Sequence, residues 1–141
     1  MPVLETLAYD YCAGCIVYAG CERSPDAFEW HQYIRDMAPR LRRDQTNLAL
    51  VLAGGTAPGP MLRVEMKEAT QGFSVRVAVI TDAPLVRGVV QAMSWFHPGY
   101  QSFAPKELAQ AFAFLRLSES EAAEVQRCAL ELQAALNRSR A

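Results

Sequence analysis

The feature that most constrains this chain is an alternation. Short apolar runs are each followed by a turn rich in Gly, Pro or Asp, and then by a stretch with apolar residues at helical spacing. Ile16-Val17-Tyr18 precedes Trp30, Ile34, Met37 and Leu41; Asn47–Ala53 precedes Leu62, Met66 and Ala69; Phe73–Ile80 precedes Leu85, Val89 and Met93. Strand-length runs alternating with helix-length stretches require crossover connections. Such connections give a mainly parallel sheet with helices packed on it.

The remaining elements fit around that alternation. Residues 7–21 read as two strands folded back at Ala13-Gly14, an antiparallel edge. Ser24-Pro25-Asp26 reads as the start of the first helix with Ser24 as cap, and Pro39 is expected to kink or shorten that helix. The second helix is expected from near Pro60 to Gly72. In the strand Phe73–Ile80, the residues Phe73, Val75, Val77 and Val79 share one face. Thr81-Asp82-Ala83-Pro84 turns into a third helix, with Asp82 as cap. Its main stripe is Leu85, Val89, Met93 and Phe96, with Val86 and Val90 beside it, and His97-Pro98-Gly99 stops it. Tyr100–Ala104 reads as a last strand. Pro105-Lys106-Glu107 opens a fourth helix with Leu108, Ala111, Phe112 and Leu115 inward. Ser118-Glu119-Ser120-Glu121 is a capping box for a fifth, which carries Val125, Cys128, Leu132 and Leu136 on one face. The expected order is β-β-α-β-α-β-α-β-α-α. It describes one α/β domain over residues 1–141, with a mixed, mainly parallel sheet of about five strands, an N-terminal antiparallel hairpin and about five covering helices.

Composition narrows the classes of function. A chain of 141 residues can bury a core without disulfides or metal. With 51% hydrophobic and 21% charged residues it is not a disordered chain. The 14 Lys+Arg against 15 Asp+Glu leave a net charge of −1, which argues against a nucleic-acid module. No apolar run has the length of a membrane span, and residues 1–10 lack a signal-peptide pattern, so a cytoplasmic location is expected.

The cysteines are Cys12, Cys15, Cys21 and Cys128. Cys12-Ala13-Gly14-Cys15 is a C-x-x-C, but it falls in a hairpin and not at the helix N-terminus that a thioredoxin-like site uses. A zinc site there would need more ligands, and Cys21 and His31 are the nearest. Structural thiols are the expectation, with a metal site or a thiol enzyme at Cys12 and Cys15 as the alternative.

The stretch Arg76-Val77-Ala78-Val79-Ile80-Thr81-Asp82-Ala83-Pro84-Leu85-Val86-Arg87-Gly88-Val89-Val90 resembles a phrase of the SpoIIAA-like proteins, small bacterial relatives of the STAS and CRAL-TRIO domains. Ser94-Trp95-Phe96, the stretch from Phe103-Ala104-Pro105 to Leu115-Arg116-Leu117 and the element layout fit the same pattern. The resemblance implies a STAS fold and a non-enzymatic regulatory domain akin to anti-sigma-factor antagonists. Such a domain acts on a protein partner or as a homodimer and takes no cofactor. In regulatory STAS proteins a Ser at the start of the helix after the central strand is phosphorylated. Here that position falls in Gly54-Gly55-Thr56, where an acid–Ser–Gly phrase is absent, which leaves Thr56 as the candidate phosphosite.

Ligands of open parallel sheets gather beyond the carboxyl ends of the strands. Gly54, Gly55, Thr56, Thr81 and Asp82 fall there and form the candidate partner or anion site. His31 reads as a surface helix residue, and Glu119, Glu121 and Glu124 as a solvated first turn. No catalytic constellation and no metal site emerge. The alternative to an interaction domain is a carrier of small apolar or lipid ligands, as the related CRAL-TRIO group implies. An enclosed apolar cavity lined by Met61, Met66, Met93, Trp95 or Phe114 would mark the carrier. Trp95 and Phe114, beside the main stripes of their helices, are otherwise expected to fill a wide core.

Overall fold

The computed structural model describes residues 1–43, 47–95 and 98–139, with Arg43 described by its backbone alone. Phe96 and His97, expected at the end of the third helix, lie outside the described residues. Five strands form one sheet in sequential order: β1 (Leu7–Cys12), β2 (Cys15–Gly20), β3 (Leu48–Leu52), β4 (Arg76–Ile80) and β5 (Tyr100–Phe103). β1 runs antiparallel to β2, and every later pairing is parallel. The hairpin turns at Ala13 and Gly14, with φ of +52° and +74°. Two adjacent left-handed residues are what a two-residue type I′ turn needs.

The helices are α1 (Ala27–Arg43), α2 (Pro60–Thr70), α3 (Pro84–Ser94), α4 (Leu108–Phe114) and α5 (Glu119–Ser139), with a short 3-10 turn, Pro105–Glu107, before α4. Each crossover through α1, α2 and α3 advances to the next strand in the same direction. Crossovers of one hand that all advance one way put their helices on one face. Strand alternation then divides the core. Leu7, Tyr9, Ile16, Tyr18, Val77 and Val79 face Trp30, Met37 and Leu41 of α1 and Val86 and Val90 of α3. Ala8, Cys15, Val17, Leu50, Ala78 and Ile80 face Phe112 of α4 and Val125, Cys128, Leu132 and Leu136 of α5.

The two faces are covered unequally. α5 lies directly on β1 and β2, while α2 packs on α1, buries none of its own residues and makes little contact with the sheet. The α1 and α3 face buries the larger side chains, among them Tyr9, Tyr18, Trp30, Tyr33 and Met37, whereas the α5 face buries many Ala and Cys residues.

Several local expectations are corrected. α1 starts at Ala27, and its cap is Asp26, not Ser24: the Asp26 carboxylate accepts from the backbone N–H groups of Phe28 and Glu29 at 3.0 and 3.2 Å. α1 runs through Pro39 to Arg43. Pro39 and Arg35, whose carbonyl loses its helical donor, are both exposed, so that carbonyl stays open to solvent. β4 begins at Arg76, not Phe73, because Gly72 takes a φ of +87° and the Phe73 N–H returns to the Thr70 carbonyl at 3.0 Å. In α3 the buried stripe is Val86 and Val90, and Leu85 is 71% exposed. Asp82 does not cap this helix. The Thr81 hydroxyl accepts from the Ala83 N–H at 3.1 Å and the Arg87 guanidinium donates to the Thr81 carbonyl, so Thr81 sets the helical phase. The capping box at α5 forms as expected: Ser118 N–H donates to Glu121 Oε1 at 2.9 Å and Glu121 N–H to Ser118 Oγ at 3.2 Å.

Candidate functional site

The loosely covered face holds a cavity. Its floor is the sheet surface formed by Ile16, Tyr18, Ala49, Val51, Val77 and Val79. Its walls come from Trp30, Tyr33 and Met37 of α1, Met66 of α2, and Val86, Val90 and Met93 of α3. The void is about 130 Å³ and almost wholly apolar. Side chains of α1 and α3 reach the sheet, while α2, between them, adds only the half-buried Leu62, Met66 and Ala69.

Aromatic rings form one wall. Tyr18 and Trp30 meet edge to face with centroids 5.9 Å apart, and Trp30 and Tyr33 lie 5.5 Å apart. Such rings present both faces and edges to a guest, and edge-to-face pairs gain energy beyond area alone. Burial pushes the Tyr18 and Tyr33 hydroxyls up, so both stay neutral and the wall carries no charge.

α2 closes the cavity with few ties. The Trp30 indole N–H donates to the Leu62 carbonyl at 3.0 Å, and His31 Nδ1 lies 2.8 Å from Glu65 Oε2 at the surface. Arg63 holds the start of α2 to the preceding loop by donating to the Pro58 carbonyl at 2.9 Å.

The residues expected from the sequence divide around this mouth. β3 and β4 are neighbours in register at Leu52 and Ile80, so the loops after them leave the sheet side by side. Gly54 and Thr56 line the cavity, and Gly55 is exposed at a φ of +98°. The Thr56 hydroxyl is buried with no hydrogen-bond partner among the described residues. Thr81 is buried and engaged at the head of α3, Asp82 is exposed, and neither lines the cavity. Met66 and Met93 line it as a carrier would require. Met61 and Trp95 do not: they are 81% and 74% exposed. Phe114 lies on the opposite face of the sheet against Phe103, at 5.7 Å, and under the Arg76 guanidinium.

The four-ligand set Cys12, Cys15, Cys21 and His31 does not assemble. Cys15 begins β2 and Cys21 follows its end, while His31 belongs to α1 on the other face. All four thiols are free.

The aromatic wall was only half visible in the sequence. Trp30 stands out in the helical stripe, but Tyr18 and Tyr33 meet it only through the sheet-to-helix packing. No family model matches this chain, and no curated protein or solved structure matches it either.

Proposed function

We propose that this chain binds a small apolar molecule in the cavity between the sheet and α1, α2 and α3. The observation that carries the reading is a void of about 130 Å³, lined by apolar and aromatic side chains, under a helix none of whose residues is fully buried. An apolar cavity of about 150 Å³ stays dry and accepts benzene, so a guest of about six to eight non-hydrogen atoms fits without rearrangement. For so few atoms, a dissociation constant between about 10 µM and 1 mM is in range. Calorimetric titration with benzene, phenol and benzoate tests the reading. Benzene and phenol bind, the charged benzoate does not, and Met93→Trp, which fills the void, abolishes binding while the melting temperature is kept. Failure of all three probes to bind, or equal binding by the filled variant, refutes it.

A second reading has its own observation. Phe28, Met61 and Leu85 are each the second residue of α1, α2 and α3, and they are 87%, 81% and 71% exposed. Parallel crossovers place these three helix starts along one end of the sheet, beyond the carboxyl ends of β2, β3 and β4, which supports a protein-interaction role for a STAS-like domain of the cytoplasm. Concentration-dependent sedimentation, reversed by Leu85→Asp, tests it, and a monomer at all concentrations counts against self-association there.

A further inference from the structure

The sheet face opposite the cavity carries a second chemical grouping. Asp10 and Cys12 alternate along β1 and so project to the same side, towards α5. Cys128 sits on the buried stripe of α5, between Val125 and Leu132. The Asp10 carboxylate and the Cys12 and Cys128 sulfurs all lie within 4.8 Å of one another. Cys128 is buried, while Asp10 and Cys12 are half-buried, so the trio opens to solvent on one side.

We propose that Asp10, Cys12 and Cys128 form a three-ligand site for a zinc-class divalent ion.

Geometry supports it first. Zinc–sulfur bonds of about 2.3 Å in a tetrahedron set two sulfurs about 3.8 Å apart, so small rotamer changes bring the trio onto one ion. The ligands come from two elements already fixed by the core, β1 and α5, so little ordering is needed on binding. Two thiolates and one carboxylate suit borderline-soft zinc better than magnesium or calcium, which take oxygen ligands alone. The fourth position is left to solvent.

When the ion binds, both thiol protons leave to solvent and the two sulfurs become metal-bound thiolates. Cys15, across the hairpin from Cys12, is not part of the set: it is fully buried and its thiol donates to the Ile16 carbonyl.

The test uses full-length protein, stripped with chelator and kept reduced with a phosphine, and titrated with Co²⁺. The expected result is one ion per chain, with thiolate-to-cobalt absorption that Zn²⁺ removes. Cys12→Ser and Cys128→Ser each weaken binding at least tenfold, Asp10→Asn weakens it less, and Cys15→Ala leaves it unchanged. Should the buried Cys128 variant fail to fold, Cys12→Ser and Asp10→Asn decide. Absence of the absorption in the wild-type protein overturns the proposal. So does its loss in Cys15→Ala with retention in Cys128→Ser, which would assign the ion to the hairpin C-x-x-C.

Discussion

The indole N–H of Trp30 donates to the backbone carbonyl of Leu62 at 3.0 Å, a side-chain tie from the wall of the cavity to the helix that closes it. Trp30→Phe keeps a ring in the wall and removes the bond. The expected loss is about 1 kcal/mol of stability. The diagnostic change is local: amides of α2 exchange faster than in the wild-type protein, while those of α5 keep their rates. Uniform acceleration across the domain would show that α2 is not separately latched.

The unequal cover of the two faces has a mutational signature. Leu132, on the inner face of α5, is fully buried, and Leu132→Ala is expected to cost about 2–5 kcal/mol. Leu62 on α2 is half-buried, and Leu62→Ala should cost about 1 kcal/mol. Chemical denaturation of both variants measures the difference. Equal costs would mean that α2 is as firmly packed as α5.

Gly54 is required by a close approach of two backbones. A Cβ there would fall 2.0 Å from the Cys21 carbonyl oxygen, whereas one at Gly59 meets nothing within 4 Å. Gly54→Ala is therefore expected to cost about 3 kcal/mol, and Gly59→Ala less than about 1 kcal/mol. Because Gly54 lines the cavity, the first substitution should also weaken phenol binding, and thermal melts with and without phenol read both effects.

The capping box at α5 gives a pH dependence of known sign. The Ser118 N–H, and then the Ser118 hydroxyl, hold the Glu121 carboxyl below its ordinary value. A lowered folded-state value means that the stabilisation is present above the unfolded value and is lost as pH falls through the folded one. Protection of the first turn of α5 should therefore fall over about pH 5 to 2. In Glu121→Gln the neutral amide oxygen still accepts from Ser118, so the same protection should not respond to pH in this window. Exchange of the 118–122 amides is the measurement.

Much of the architecture was legible because local signals and packing agree. The alternation of Asn47–Ala53, Phe73–Ile80 and their helices specified a parallel sheet, and Ala13-Gly14 specified the hairpin. The C-terminal capping box was readable to the residue. The errors came where tertiary contacts decide between near-equal local options. Asp26 outcompeted Ser24 as a cap, and the anchorage of Thr81 rotated α3 so that Val86, and not Leu85, faces the sheet. Of the candidate site, Gly54 and Thr56 were found by their position after a strand, and Met66 and Met93 by helical spacing. The aromatic wall and the meeting of Asp10 with Cys128 join residues far apart in the chain, and no local pattern encodes either.

The sequential strand order has a consequence for synthesis. As the nascent chain leaves the ribosome, each new strand adds to the free margin of the sheet already made, and its helix closes over the same side. The other side of the first two strands, with Ala8, Cys15, Val17 and Ala19, waits for α5, which follows all five strands in the chain. Until residues 119–139 emerge, that surface is sticky, and a transcript truncated before them would yield a product for chaperones and proteases rather than a smaller domain.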